Sequence, residues 1–271
     1  ISTEIVGSVL VLPFNDPDGA SELVWEHRNE LAAVIVEPIL GTGGMIPASR
    51  DFLSALRQVT SAANIVLIFD EVISLRISFG GAQEFYNVRP DLTAMGKFLG
   101  GGLPIGAFGG QEEIMSLYDP TKLDRSLGQQ LKPPIPHSGS FNGNPITMAA
   151  GIATLEELTP ETYAHLNTLG ESLRQGVRVL ASELEIPIQV TGTGSLFGIH
   201  FTTDPVINYR DTILVDSVLR HYTFLGLVNE GIFPTSHLLG CISSPMTTGE
   251  IIEFVGSLGR VLERFGNPIR P

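Results

Sequence analysis

The sequence predicts an α/β protein, with a mostly parallel sheet in a large first domain and a small α+β domain after it. Three observations carry this. Continuous aliphatic runs alternate with amphipathic stretches early in the chain, each early run ends on an acidic residue, and a second set of strand-like and helix-like segments follows a long helical stretch. Continuous apolar runs suit strands covered on both faces, the pattern of parallel sheets.

In chain order, residues 32–37 read as a strand ending at Glu37, 50–63 as a helix and 65–70 as a second strand ending at Asp70. Glu71, Val72 and Ile73 extend that strand pattern. In sheets of this kind ligands sit beyond the carboxyl ends of the strands, which puts Glu37, Asp70 and Glu71 on the chemically useful edge. Residues 91–96 form a third strand-like run, and 96–110 are so rich in glycine that tight turns must precede any further strand. From Pro145 to about Arg178 the pattern is helical, with Met148, Ile152 and Leu155 on one stripe and Leu166, Leu169 and Leu173 continuing beyond Pro160. Residues 188–192 and 196–201 suggest a strand pair, 210–224 a helix and 248–265 a final helix. These segments predict a large domain over 1–160, incomplete at its N-terminus, and a small domain over 161–271. Residues 132–136 read as a proline-rich surface loop.

Composition narrows the function. The 271 residues are 43% hydrophobic, enough for a substantial core, and the formal charge is -13, with 16 Lys+Arg against 29 Asp+Glu. Such a balance argues against nucleic acid, whose phosphates need a basic face. No apolar run approaches the roughly 18 residues that span a bilayer, and no signal-type segment opens the chain, so a cytoplasmic protein is expected. The one cysteine, Cys241, reads as a small buried hydrophobe. Histidines such as His165 and His221 read as surface or packing residues, and no Cys/His set has metal-ligand spacing. The chain opens at Ile1 without methionine and runs at once into the apolar stretch Val9 to Phe14, so residue 1 reads as a cut.

Three groups of residues are candidates for chemistry. An aspartate closing a strand is more often a cap or turn residue, yet a carboxylate such as Asp70 at a buried strand end calls for a cationic partner. Lys97 lies between Met95, Gly96, Phe98 and Leu99, just ahead of three glycines. Most lysines in glycine-rich loops are solvated charges, whereas an apolar setting makes an amine a better nucleophile towards an aldehyde. The hydroxyls, amides and glycines of residues 137–144 stand immediately before a helix. They suit either an ordinary cap or a phosphate site. Glycine spacings at 100–106 and 192–198 miss the dinucleotide fingerprint, which disfavours a nicotinamide enzyme.

Taken together, Val36-Glu37-Pro38, Phe69-Asp70-Glu71-Val72, Gly96-Lys97 with the glycines that follow, and Ser138-Gly139-Ser140-Phe141-Asn142-Gly143-Asn144-Pro145 resemble the motif series of class III aminotransferases. The resemblance covers essentially the whole chain and is nearest the branch of glutamate-1-semialdehyde 2,1-aminomutase and β-phenylalanine aminotransferase. It implies the pyridoxal 5'-phosphate (PLP) transferase fold of type I. It further implies that Lys97 joins the cofactor as a Schiff base and moves the proton, that Asp70 pairs with the pyridine nitrogen, and that Val72 packs on the ring. Gly139 and Ser140, the latter where the family more often has threonine, would bind the cofactor phosphate of a neighbouring subunit in a homodimer with shared sites.

The implied activity is ping-pong amino transfer between an amino acid, β-amino acids included, and an oxo acid. An aminomutase or racemase using the same lysine is the alternative within the class, and a noncatalytic remnant or partner subunit the alternative outside it. Several features depart from the family. Leu40 stands where many members have glutamine, the segment from Glu71 to Arg76 is one residue shorter than the aminomutase pattern, and the family's phosphate loop, its ring-stacking aromatic residue and its N-terminal substrate segment have no counterpart here. Arg76 is a candidate either for a substrate carboxylate or for a surface ion pair.

Overall fold

The structure is a computed structural model that describes residues 2–119, 135 and 137–265. Helices α1 (Thr3–Gly7) and α2 (Pro17–Glu26) precede strand β1 (Ala33–Val36), the hairpin strands β2 (Ile39–Leu40) and β3 (Ile46–Pro47), helix α3 (Arg50–Ala63) and strand β4 (Val66–Asp70). Helix α4 (Gly81–Tyr86), β5 (Leu92–Gly96), β6 (Gly106–Gly110) and α5 (Glu112–Met115) follow. The main sheet has the order β1-β4-β5-β6. Its first three strands are parallel and β6 is antiparallel to β5.

Helix α3 forms because Phe52, Leu53, Leu56 and Thr60 share one buried face. The Ser49 hydroxyl accepts the Phe52 amide to cap its start, and Asn64 ends it in the left-handed region at φ 56°. That face packs against Leu67 and Phe69 of β4 in a core that also takes in Val34, Val36, Ile39 and Leu196. The expectation of strands covered on both faces holds for one face only. In β1 Val34 and Val36 are buried, packed with Ala20 and Val24 of α2 and Phe52 and Leu56 of α3, whereas Ile35 is 65% exposed; the second face of β4 is half-buried.

Asp91 ties the central strands together. Its carboxylate accepts the Leu67 amide at 2.7 Å and the Gln111 side-chain amide at 2.6 Å, and pairs with Arg57 at 3.0 Å. Three donors on a largely buried carboxylate offset its desolvation, so β4 and β5 are held in fixed relation at the end where Asp91 enters.

The second half holds α6 (Pro145–Glu157), α7 (Pro160–Leu184), β7 (Gln189–Thr191), β8 (Leu196–His200), α8 (Ser217–Asn229), β9 (Leu239–Cys241) and α9 (Thr248–Phe265). The last helix has the predicted bounds. Residues 210–224 do not form one helix: a 3-10 turn at Tyr209–Ile213 comes first, and α8 starts only after Asp216 caps it by accepting the Val218 and Leu219 amides. The strand pair is a three-stranded antiparallel sheet, its third member the short β9. Leu166, Leu169, Leu173 and Val177 of α7 pack with Phe197, Ile199, Leu227, Phe254 and Leu258 in a second core. Cys241 closes β9 and is exposed, a correction to the buried position expected of it. Three residues are too short a strand to enclose the side chain at its end. Apart from Ile135, the proline-rich segment 132–136 lies outside the described residues.

Candidate active site

Asp70 is the last residue of β4 and Gly96 the last of β5, adjacent parallel strands with Asp70 in register with Ala94. Lys97 is the next residue after Gly96 and Glu37 the next after β1, so all three side chains leave from one carboxyl edge of the sheet, where neighbouring strands lie about 4.8 Å apart. Val72 joins them: its Cγ2 atom lies 3.6 Å from where a Cβ on Gly96 would stand. Thus Asp70, Val72 and Lys97, predicted from separate motifs, meet at one place. Glu37 is turned to a local task and accepts the Gly41 amide at 2.9 Å.

The strand stops at Asp70 rather than running on through Ile73. The Asp70 carboxylate accepts the Val72 amide at 3.1 Å, closing a tight turn, and a 3-10 turn follows at Ser74–Ile77. Asp70 is half-buried and pairs with no cation among the described residues. Glu71 is fully buried and faces away from that edge in function. Its carboxylate accepts the Ala82 amide at 2.5 Å, the Gln83 amide at 3.3 Å and the Ser74 hydroxyl at 3.4 Å, capping α4. Burial pushes its pKa above the ordinary carboxylate range, although those donors pull the other way. The carboxylate's closeness is possible because Gly81, at φ 72°, has no Cβ; one would stand 2.6 Å from Oε2.

Lys97 opens a 3-10 turn, Lys97–Gly100, with its own backbone in the left-handed region at φ 52°. This conformation costs a non-glycine residue about 1–2 kcal/mol, a feature that concentrates at functional sites. The side chain is exposed, which corrects the apolar enclosure expected from Met95, Phe98 and Leu99; those residues lie beside it in sequence but do not cover it. The turn is seated on α6. A Cβ on Gly151 would stand 2.5 Å from the Leu99 carbonyl oxygen, and one on Gly101 2.3 Å from that of Ala150.

Gly139 and Ser140 lie in an exposed turn before α6 and make no hydrogen bond to Asp70, Val72 or Lys97. The first amides of α6 are taken by its cap, Asn144, whose side-chain oxygen accepts those of Ile146 and Thr147 at 3.0 and 3.3 Å. Arg76 forms neither of the pairs considered for it. Its guanidinium donates to the Ser195 hydroxyl at 3.0 Å and the Ile242 carbonyl at 2.6 Å, bracing the turn after Asp70 against the second sheet. His165 is exposed and within 3.0 Å of the Met246 carbonyl, and His221 packs edge-on to Tyr222. Among the described residues no group of His, Cys, Asp and Glu has the placement to hold a metal ion, and no helix is long and apolar enough to cross a membrane.

Residues 18–233, which carry this carboxylate and amine on one sheet edge, match the model of one family, described as aminotransferase class-III. The chain belongs to that family. It is 38% identical over 265 residues to the beta-phenylalanine transaminase of Variovorax paradoxus, an alignment spanning 97% of this chain and 59% of the relative. It is 39% identical to the glutamate-1-semialdehyde 2,1-aminomutase of Methanothermobacter thermautotrophicus, over 93% of this chain and 58% of that protein. The chain therefore spans a little under three-fifths of the length of these class III relatives.

Among solved structures, an omega-transaminase from Sphaerobacter thermophilus superposes with a TM-score of 0.91 at 45% identity, over 97% of this chain and 58% of that one. Another class III neighbour, 36% identical with a TM-score of 0.87 over 97% of this chain and 59% of its own, is described as a transaminase with PLP bound. Pyridoxal phosphate is the cofactor of the family. The residues present fit it: the cofactor has a ring nitrogen that gains from a carboxylate and an aldehyde that reacts with an amine, and Asp70 and Lys97 offer these two groups on adjacent strands. Sequence reasoning placed Glu71 on this edge but missed its task, the capping of α4. A carboxylate followed by a Gly-Gly pair, Gly80-Gly81, was the available signal.

Proposed function

We propose that this chain forms the larger part of the active site of a PLP-dependent aminotransferase, one that moves an amino group between an amino acid and an oxo acid by a ping-pong scheme. The observation that carries this reading is the common departure of Asp70 and Lys97 from adjacent parallel strands, with Val72 against the residue between β5 and the lysine. Bound there, pyridoxal phosphate supplies an electron sink for the bond-breaking at the substrate carbon. Asp70 holds the proton on the ring nitrogen, and its only hydrogen bond among the described residues, from the Val72 amide, leaves the second carboxylate oxygen free for that contact. Lys97 supplies the amine that fastens the cofactor and afterwards carries a proton to and from the substrate carbon. Val72 supports one face of the ring.

Gly139 and Ser140 serve the cofactor phosphate of a second copy in a homodimer. The outer face of α6 supports that assembly: Ile146 is 72% exposed and Ile152 58%, and Met148, Leu155 and Phe141 extend the same apolar surface. Contiguous exposed apolar side chains of this size mark interaction surfaces. The division into a PLP-binding unit up to about residue 160 and a small C-terminal unit is supported by the two separate cores.

The test is spectroscopic. Purified protein mixed with PLP should develop a visible band, and borohydride reduction should then leave a pyridoxyl mass on the peptide containing Lys97. Lys97→Ala should show neither. Absence of both in the folded wild-type chain favours a noncatalytic remnant or partner subunit. The relative named an aminomutase, at 39% identity, supports a second reading within the class. Release of an oxo product on mixing the loaded protein with an amino donor decides for the transferase, and its retention for the mutase.

A further inference from the structure

Between the β2–β3 hairpin and the second sheet lies a cleft of about 590 Å³ whose walls include Glu37, His200, Tyr209, Arg220 and His237. Glu37 and Tyr209 also line the neighbouring groove that Asp70 enters, so the cleft adjoins the carboxyl edge of the main sheet. Its chemistry differs from that edge, because it carries a guanidinium and two imidazoles.

Arg220 is the unusual member. It lies on α8, is half-buried and has no hydrogen-bond or ion-pair partner among the described residues. The other half-buried or buried arginines among the described residues are engaged: Arg57 with Asp91, Arg76 with Ser195 and the Ile242 carbonyl, and Arg174 with Glu171 and two carbonyls. Its guanidinium carries five fixed donors, none of them used by the described residues, and it stays open to a ligand entering the cleft.

Beside it, His200 is locked. Its Nε2 lies 2.9 Å from the Thr191 hydroxyl and 3.1 Å from the Gly44 carbonyl, and Thr191 donates to that same carbonyl at 2.6 Å. With Thr191 donating to the carbonyl, Nε2 carries the ring proton towards both oxygens. Burial first lowers the pKa of His200, the hydrogen bond to the Gly44 carbonyl works against it, and the Arg220 charge lowers it further, which favours the neutral ring beside Arg220.

We propose that this cleft is a carboxylate-binding site in which the Arg220 guanidinium takes the carboxylate as a paired acceptor. A planar fork of donors matches a carboxylate, whereas Glu37 on the hairpin side makes the cleft unsuitable for polyanions. The carboxylate has two possible sources, a substrate reacting at the Asp70–Lys97 edge or a free small acid. Only the first rests on the function proposed above.

The probe is succinate, titrated against chloride at constant ionic strength and followed by amide NMR shifts of Gly43, Gly44 and Thr212. Saturable shifts at these positions are expected with succinate and not with chloride. Arg220→Gln should weaken the apparent affinity at least tenfold and Arg220→Lys less. Arg220→Leu should lose the rise in melting temperature that succinate gives the parent. A succinate-induced rise in melting temperature that persists in Arg220→Leu, or equal succinate affinity in Arg220→Gln and the parent, would overturn the proposal. The titration needs no cofactor, so a missing PLP band leaves it intact. Repeating it with saturating amino donor on PLP-loaded protein separates the sources: competition identifies the substrate's own carboxylate, and simultaneous binding a free acid.

Discussion

The carboxylate of Glu71 receives the amide of Ala82 at 2.5 Å, and this bond fastens helix α4 to the residue immediately after Asp70. A buried carboxyl group thereby sets the turn that presents the candidate cofactor partner. Replacing it with Glu71→Gln keeps one acceptor oxygen and should cost about 1–3 kcal/mol in chemical denaturation, the range for a hydrogen bond to a buried charged group.

The same residue makes a prediction about pH. Its folded pKa is raised above the ordinary value of 4.5, chiefly by burial. A raised carboxylate binds its proton more tightly in the folded state, so its contribution is fully present below the unfolded pKa and is lost as pH rises through the folded one. The stability difference between parent and Glu71→Gln should therefore shrink as pH is raised from 4.5. A difference that grows over that interval would refute the assignment.

Lys97 sits at φ 52°, where glycine is at ease and lysine is not. Lys97→Gly should consequently be more stable than Lys97→Ala by about 1 kcal/mol in urea unfolding, while neither forms the PLP band. Equal stabilities would show that the strain is absent.

Asp70→Asn retains an acceptor for the Val72 amide, so the fold should survive with a change below about 1 kcal/mol. Loss of the charge should weaken PLP binding about 10- to 100-fold, measured by equilibrium dialysis, if the carboxylate faces the ring nitrogen.

Arg76→Met removes the hydrogen bonds to Ser195 and Ile242 that cross from the turn after Asp70 to the second sheet. A loss of about 1–3 kcal/mol is expected, together with faster hydrogen exchange at Ser195 and Ile242.

A charge placed on the outer face of α6 tests the assembly. Ile152→Asp should leave the melting temperature of the chain nearly unchanged, since Ile152 is 58% exposed, and should halve the mass seen by light scattering if that face joins two copies.

Local pattern by itself determined the secondary structure wherever one periodicity ran long enough to dominate. Helix α3, helix α9 and strands β1, β4 and β5 stand where their apolar spacing places them, and the motif series around Asp70, Lys97 and Ser140 was sufficient to indicate the family. The stripe Met148, Ile152 and Leu155 correctly signalled a helix yet faces outward, because Thr147 and Gly151 are the residues that let the Lys97 turn approach. Short pieces such as β9 and α4 left no readable period, and the break after Asp70 depends on a side-chain hydrogen bond that no spacing reveals. Only the tertiary structure could decide that Glu71 is a cap, that Arg76 is a brace and that Arg220 stands in a cleft with no partner among the described residues. Each of these depends on which donor meets which acceptor across residues far apart in the chain, and hydrophobic periodicity, which records burial alone, carries no information about that pairing.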